Sequence, residues 1–271
     1  MNTHSCSYRD FRPSLQLSAV LFFKATWFKN DKYNESLFWF GLNQPLEKKP
    51  PEKQNFSAHG YATLHGENTW ALIKWPFYQF RPSHNDALHV DIWHNGKNII
   101  CDAGSYSYNP GNEFEHDLKS VHFHNTVSFD GHEQMPKLSR FLMANWLKAE
   151  TALLKDKENA DAVKWEGSYT DTFGNNHHRE VELYNNQWII TDKFSGNFIK
   201  VVIGFNINSN ECYSKSNLIN TPAFKIHAPK KAKAELKEIW ASQYYQEKHI
   251  IKRLEMTVYK PGTYETIITL V

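Results

Sequence analysis

The sequence predicts a mainly β protein, an antiparallel β-sandwich behind a short N-terminal helical segment. Three observations point there. Aromatic residues make up 15% of the 271-residue chain, a load that favours pleated, half-buried surfaces. After Ser57 the apolar pattern changes from helical spacing to short runs of period two. Turn dipeptides punctuate those runs at Asn95-Gly96, Asp130-Gly131, Ser195-Gly196 and Pro261-Gly262. A chain of this length is long enough for one large all-β domain or two small domains and can bury a real core.

The elements follow in order. Residues 14–28, SLQLSAVLFFKATWF, come directly after Pro13, which suits a first helical turn. Leu15, Ala19, Phe22 and Phe23 share one face of the expected helix, and a second helical turn or two is expected over 34–41. Residues 1–45 are therefore read as helical. Residues 46–56 read as a linker, because PLEKKPPEKQN (45–55) is charged and proline-containing. Residues 57–271 read as the sandwich. Early strands are expected over 60–64, 69–75, 87–93, 98–101 and 125–129. Later ones are expected over 150–154, 162–169, 178–184, 188–192, 200–205, 224–227 and 257–271. The run KKAK at 230–233 reads as a solvated charged face.

Composition narrows the function classes. A net charge of +2 provides no broad field to attract nucleic acid. Cys6, Cys101 and Cys212 are scattered and lack the spacing of a disulfide framework or a cysteine zinc knuckle. No apolar run approaches a membrane span. Arg9 and Arg12 precede an apolar stretch, but Asp10 spoils a signal-peptide start and no small-residue cleavage site follows. The default expectation is cytoplasmic, with a periplasmic address left open. The aromatic load also suits sugar recognition.

The chemistry concentrates between Arg81 and Gly131, in three phrases: RPSHNDALHVDIW (81–93), NIICDAGSYSYN (98–109) and SVHFHNTVSFDG (120–131). His84, Asp102 and His124 offer an imidazole, a carboxylate and a second imidazole, one from each phrase. Zinc takes such nitrogen and oxygen ligands readily, and a sheet that makes the strands neighbours would gather them. Asp86, two residues from His84, is placed to orient an imidazole. His122 and His124 are two apart, so a strand through both would turn them to one side. His89 and His94 read as ordinary, partly exposed residues.

These phrases, with QMPKLSRFLMANW (134–146), resemble the C-terminal β-sandwich module of the heparinase II/III-like polysaccharide lyases. YRDFRPSLQLSAVLF (8–22) resembles the last helical stretch of the α-toroid that precedes that module. The order HxD, DxGxYxY, HNT is specific, whereas each phrase alone is weak. The resemblance implies a supersandwich-like fold, with 1–45 as a remnant of the toroid. It also implies a metal, usually zinc, held by His84, Asp102 and His124. Some relatives have a catalytic His two positions before the metal His, where this chain has Pro82. Lys119 stands where relatives often have Arg, keeping the charge without the bidentate fork.

The implied reaction is β-elimination on a uronate-containing glycan. The C5 proton leaves once donors neutralise the neighbouring carboxylate, and the 4-linked oxygen is expelled. Tyr106, Tyr108, His116 and His122 are the proton-transfer candidates on this chain. Arg81, Lys119 and Asn125 are the substrate-binding ones. In the family the toroid supplies further residues across a cleft, and this chain has about two helices where a toroid needs many. The expected partners are therefore an acidic polysaccharide and a separate toroid-domain chain. Two other readings stand beside the lyase module. One is a non-catalytic, metal-containing carbohydrate-binding or assembly module; the other is a zinc-dependent hydrolase using a metal-bound water.

Overall fold

A computed structural model describes residues 10–108, 117–139, 142–156 and 162–271. The chain forms two compact units, 1–53 and 54–271. In the first, α1 (Arg12–Ser18) runs into one wide π-type turn, Ala19–Phe23, and stops at Lys24, which adopts a left-handed conformation with φ 52°. A 3₁₀ turn, Asp31–Tyr33, and α2 (Glu35–Trp39) follow. The helix is thus shorter than the apolar spacing over 14–28 suggests. Its expected inner face is also different: Gln16, Ala19 and Val20 are buried, while Phe22 is 77% exposed. Gln16 is inside because its amide is fully used. Its nitrogen donates to the Phe28 carbonyl and to Asn34 Oδ1, and its oxygen accepts from the backbone N–H of Trp27 and Phe28.

The second unit is built of antiparallel strands. The first five are β1 (Phe56–Ala58), β2 (Tyr61–His65), β3 (Thr69–Lys74), β4 (His89–His94) and β5 (Lys97–Ile100). Next come β6 (Val127–Phe129), β7 (Lys137–Ser139), β8 (Leu142–Met143) and β9 (Thr151–Asp156). Then follow β10 (Ala162–Thr170), β11 (Asn176–Tyr184), β12 (Gln187–Ser195) and β13 (Val201–Ile207). The last six are β14 (Tyr213–Lys215), β15 (Leu218–Asn220), β16 (Phe224–His227), β17 (Lys233–Ala241), β18 (His249–Val258) and β19 (Gly262–Leu270).

One sheet has the order β1-β2-β3-β4-β5-β13-β18-β17, with β6 also on β13. The other runs β14-β15-β16-β19-β12-β11-β10-β9, and β7 and β8 form a small ribbon. Alternation decides which side chains meet between the sheets. In β3, Thr69, Ala71 and Ile73 are buried, while Trp70, Leu72 and Lys74 are only partly covered. Leu64, Ile73, Ile92 and Phe205 from the first sheet share a core with Trp165, Trp188, Ile190 and Phe194 from the second. The fold is the antiparallel sandwich that the period-two runs predict.

One strand expectation needs revision, and β17 was not expected. Residues 257–271 hold the end of β18, a turn at Pro261-Gly262, and β19. The charge run at 230–233 is solvated as read, with Lys230, Lys231 and Lys233 exposed, but β17, which begins at Lys233, is an edge strand that its alternating Lys and Glu disguise. The first sheet has a seam. β5 and β13 share a single register pair, Ile100 with Ile207, and the three motif phrases meet beside it.

Candidate functional site

His84 lies in the loop between β3 and β4, Asp102 just beyond β5, and His124 just before β6. All three follow or precede strands, which is how loops gain fixed positions. The DAG turn is held by close approach. Gly104 (φ 87°) bridges to Ser242, and a Cβ at Gly104 would sit 1.8 Å from the Ser242 carbonyl oxygen. The Gly104 N–H donates to Asp102 Oδ1 at 2.6 Å, which leaves Oδ2 facing His124.

His124 is fully buried and uses both ring nitrogens. Its Nδ1 lies 2.6 Å from Asp102 Oδ2, and its Nε2 lies 3.2 Å from His84 Nδ1. The Asp102 carboxylate is therefore on one side of the ring and His84 on the other. Two groupings share His124, each with ligand atoms within 4.8 Å of one another: His84, Asp86 and His124, and His89, Asp102 and His124. The three residues named from the sequence meet around one imidazole, but on its opposite nitrogens.

Electrostatics separate the two sides. Burial, reinforced by neighbouring His124, lowers His84 to about 4, so its imidazole is neutral near pH 7. Burial alone would lower His124, but Asp102 outweighs it and raises it. Burial would raise Asp102, yet His124 holds it well below the usual carboxylate range. Asp86 is likewise held low despite its burial, chiefly by Lys74, whose Nζ is 2.5 Å from Oδ2. The other oxygen, Oδ1, is buried without a hydrogen-bond partner among the described residues.

His89 is a residue the sequence reading passed over. It is 6% exposed, not an open surface residue. Its Nδ1 accepts the Asn125 N–H at 2.9 Å, which fixes the proton on Nε2 facing Asp91 Oδ1 at 3.1 Å. The signal was available: SHNDALHVD contains the HxD spacing twice. The neutral His84 nitrogen, the His124 Nε2 and the unpartnered Asp86 oxygen fit a divalent ion better than the His89 side does, because the His89 Nε2 already carries a proton.

The remaining candidates are distributed differently. Asn125 is fully buried and faces no open surface. Its amide donates to the Val90 and Cys101 carbonyls and accepts from the Asn206 N–H, so it stitches β4, the end of β5 and β13 across the seam. That occupancy corrects its expected role in binding substrate. His122 does not share a strand with His124. Residues Val121–Phe123 form a 3₁₀ turn capped by Ser120, which leaves His122 exposed while His124 turns inward. Tyr106 is 8% exposed and packs with Leu118, whereas Tyr108 is 74% exposed. Arg81 is exposed and Lys119 partly covered. His116 lies outside the described residues.

Two buried arginines fix the backbone here. Arg179 of β11 pairs through Nε and Nη2 with both oxygens of Asp192, and its Nη1 donates at 2.7 Å to the carbonyls of Leu88 and Asn125. Arg253 of β18 donates through Nη1 to the His124 carbonyl and to Asn206 Oδ1. Gly204 makes room for it, since a Cβ there would fall 1.8 Å from the guanidinium. Successive carbonyls, His124 and Asn125, are thus held from the two sheets. Neither arginine was legible from sequence, because a lone Arg in a strand carries no motif.

Residues 48–263 match the family model described as heparinase II/III-like, C-terminal. No curated protein matches significantly. Among solved structures, a heparinase III gene product superposes with a TM-score of 0.70 at 18% identity, covering 96% of this chain and 41% of that one. The heparan sulfate lyase HepC from Pedobacter heparinus gives 0.67 at 15% identity, covering 96% and 41%. Another heparinase III gives 0.67 at 16%, covering 93% and 43%. This chain therefore spans about two fifths of those proteins. The similarity in structure shows the shared fold, and the match over 48–263 shows the kinship: the chain belongs to the heparinase II/III-like family.

Proposed function

We propose that this chain is the sandwich half of a polysaccharide lyase that cleaves uronic-acid-containing glycans by β-elimination, with helices of a toroid supplied by another segment or chain. The observation that supports it most is the buried cluster around His124, held on the family's fold by two arginines from opposite sheets. A divalent metal, with zinc suited to such nitrogen and oxygen donors, belongs at His84 and His124. The resemblance names Asp102 as the third ligand, while the unpartnered Asp86 oxygen favours Asp86, with Asp102 orienting His124 through Nδ1. A bound ion supplies a fixed positive charge beside the glycan.

The chain's own residues do the rest. Tyr108 and His122, whose rings are accessible, remain as proton-transfer candidates; Tyr106 and Asn125 hold the frame. Arg81 and Lys119 offer cations to an acidic chain. In the elimination a base takes the C5 proton, its electrons form the C4–C5 double bond, and the C4–oxygen bond breaks onto a protonated leaving group. The test is ultraviolet absorbance of the unsaturated product, with this chain alone and with a toroid segment added. Weak or no turnover alone and turnover on reconstitution are expected. No product in either case, with glycan still bound, sinks the lyase reading in favour of a non-catalytic module, which Pro82 in the place of a catalytic His also suits. A zinc hydrolase is less suited, because it needs an open metal position and His124 is wholly buried.

A further inference from the structure

The backbone between the two HxD repeats is strained. The Asp86 carbonyl accepts the His89 N–H at 3.1 Å, which closes a four-residue turn. Its third residue, Leu88, has φ 58°. Turns that need a positive φ there take glycine or asparagine, and a bulky side chain in that region is an outlier. Leu88 is nevertheless wholly buried in the core. Such strain persists only where the surroundings over-determine it, and it gathers at functional positions.

The restraint reaches the turn from the opposite sheet. Arg179 Nη1 donates at 2.7 Å to the carbonyls of both Leu88 and Asn125. Asp192 aims the guanidinium by accepting from Nε and Nη2, and His177 Nε2 lies 2.7 Å from the same carboxylate. Arg179, Asp192 and His177 are all fully buried. A planar fork can pair with a carboxylate and still reach two carbonyls, which a lysine ammonium cannot do. Those carbonyls flank a single contact. His89 follows Leu88, and the Asn125 N–H donates to His89 Nδ1. Arg179 therefore holds both sides of the bond that keeps the His89 proton on Nε2.

We propose that Arg179 is a positioning residue that decides which of the two groupings around His124 takes the metal. The inference rests on the metal reading above. With the clamp closed, Asn125 occupies His89 Nδ1, Nε2 keeps its proton towards Asp91, and the ion is left to His84, Asp86 and His124. With the clamp open, the proton can exchange to Nδ1. The freed Nε2, 3.8 Å from Asp102 Oδ2, then becomes a ligand on the other side of His124.

The test uses the full chain. Arg179→Lys keeps the charge beside Asp192 and loses the fork. Arg179→Met with Asp192→Leu removes the buried pair together, which guards against a single variant that fails to fold. Nitrogen-resolved NMR of the metal-free protein near pH 7 reads the His89 tautomer. The wild type is expected in the Nε2–H form and both variants as mixtures. Zinc affinity is then measured by chelator competition, with and without His89→Ala. That change should matter little in the wild-type background and cost about tenfold or more in the clamp variants. A wild-type tautomer in both folded variants overturns the positioning role. Mixed tautomers, with His89→Ala equally harmless in every background, overturn the choice between groupings. A wild type that binds no zinc overturns the metal reading and that choice with it, while the tautomers still decide whether Arg179 positions His89.

Discussion

His124 places its two nitrogens in different surroundings, and the cluster's chemistry depends on that difference. With Asp102 on Nδ1 and His84 facing Nε2, losing the ring removes the common point of both groupings. His124→Ala should therefore lose bound zinc by elemental analysis while remaining folded; unchanged metal content would remove His124 from the site. Asp86→Asn and Asp102→Asn separate the two carboxylates. On the geometry shown, Asp86→Asn should abolish metal retention and Asp102→Asn weaken affinity by about 10- to 100-fold, as loss of an orienting partner does. The reverse order would make Asp102 the ligand. At this scale the sequence located the neighbourhood, because histidine and carboxylate spacing survives in any order of strands. It misjudged Asn125 and His89, since an amide aimed at substrate and one aimed at backbone look alike until the neighbouring strands are known.

Strands and turns show where local pattern misleads. The His122-x-His124 alternation suggested a strand, but Glu133 accepts from the Ser120 hydroxyl and the Val121 N–H and pulls that stretch into a 3₁₀ turn. β17 escaped notice because an edge strand carries charge on both faces. The strand pair β11–β12 gives a pH test. In the folded chain His177 is lowered to about 4 by burial, and Asp192, although burial opposes it, is lowered to about 2 chiefly by Arg179. Both shifts make the unfolded chain take up protons first. His177 thus contributes stability present above its ordinary pKa of 6.5 and lost as pH falls to about 4. The loss is on the order of 3 kcal/mol. Asp192 extends the decline from 3.8 towards 2. Urea unfolding across pH 7 to 4 should show this slope in the wild type and a flatter one in His177→Phe; parallel curves would mean His177 is not the sensor. At the turn beyond β5, Gly104→Ala should cost about 3 kcal/mol or more, because a left-handed backbone and a 1.8 Å clash with Ser242 coincide. A wild-type Tm would contradict that contact.

As a whole, the chain has one well-buried unit and one poorly covered one. Residues 10–53 leave Phe22, Phe38, Trp39, Phe40 and Leu46 between 69% and 83% exposed, an unusual apolar surface for so short a segment. On the lyase reading proposed above, helices of a toroid would cover it. The wild-type chain should therefore self-associate at high concentration, and Phe22→Ser with Phe38→Ser and Trp39→Ser should reduce this in sedimentation without lowering Tm. A strictly monomeric wild type would indicate that the surface needs no cover. The sandwich was legible because period two holds in β3 and through most of β11 and β12. The seam was not, since pairing of β5 with β13 joins residues about a hundred apart. That distance has a consequence in time. The candidate ligands lie between His84 and His124, but the His124 carbonyl waits for Arg253, and the DAG turn waits for Ser242. On the ribosome every candidate ligand is therefore made long before the strands that would arrange it. A nascent chain halted between β6 and β18 contains the candidate ligands without the arrangement, and released at that length it should bind metal no better than an unfolded peptide.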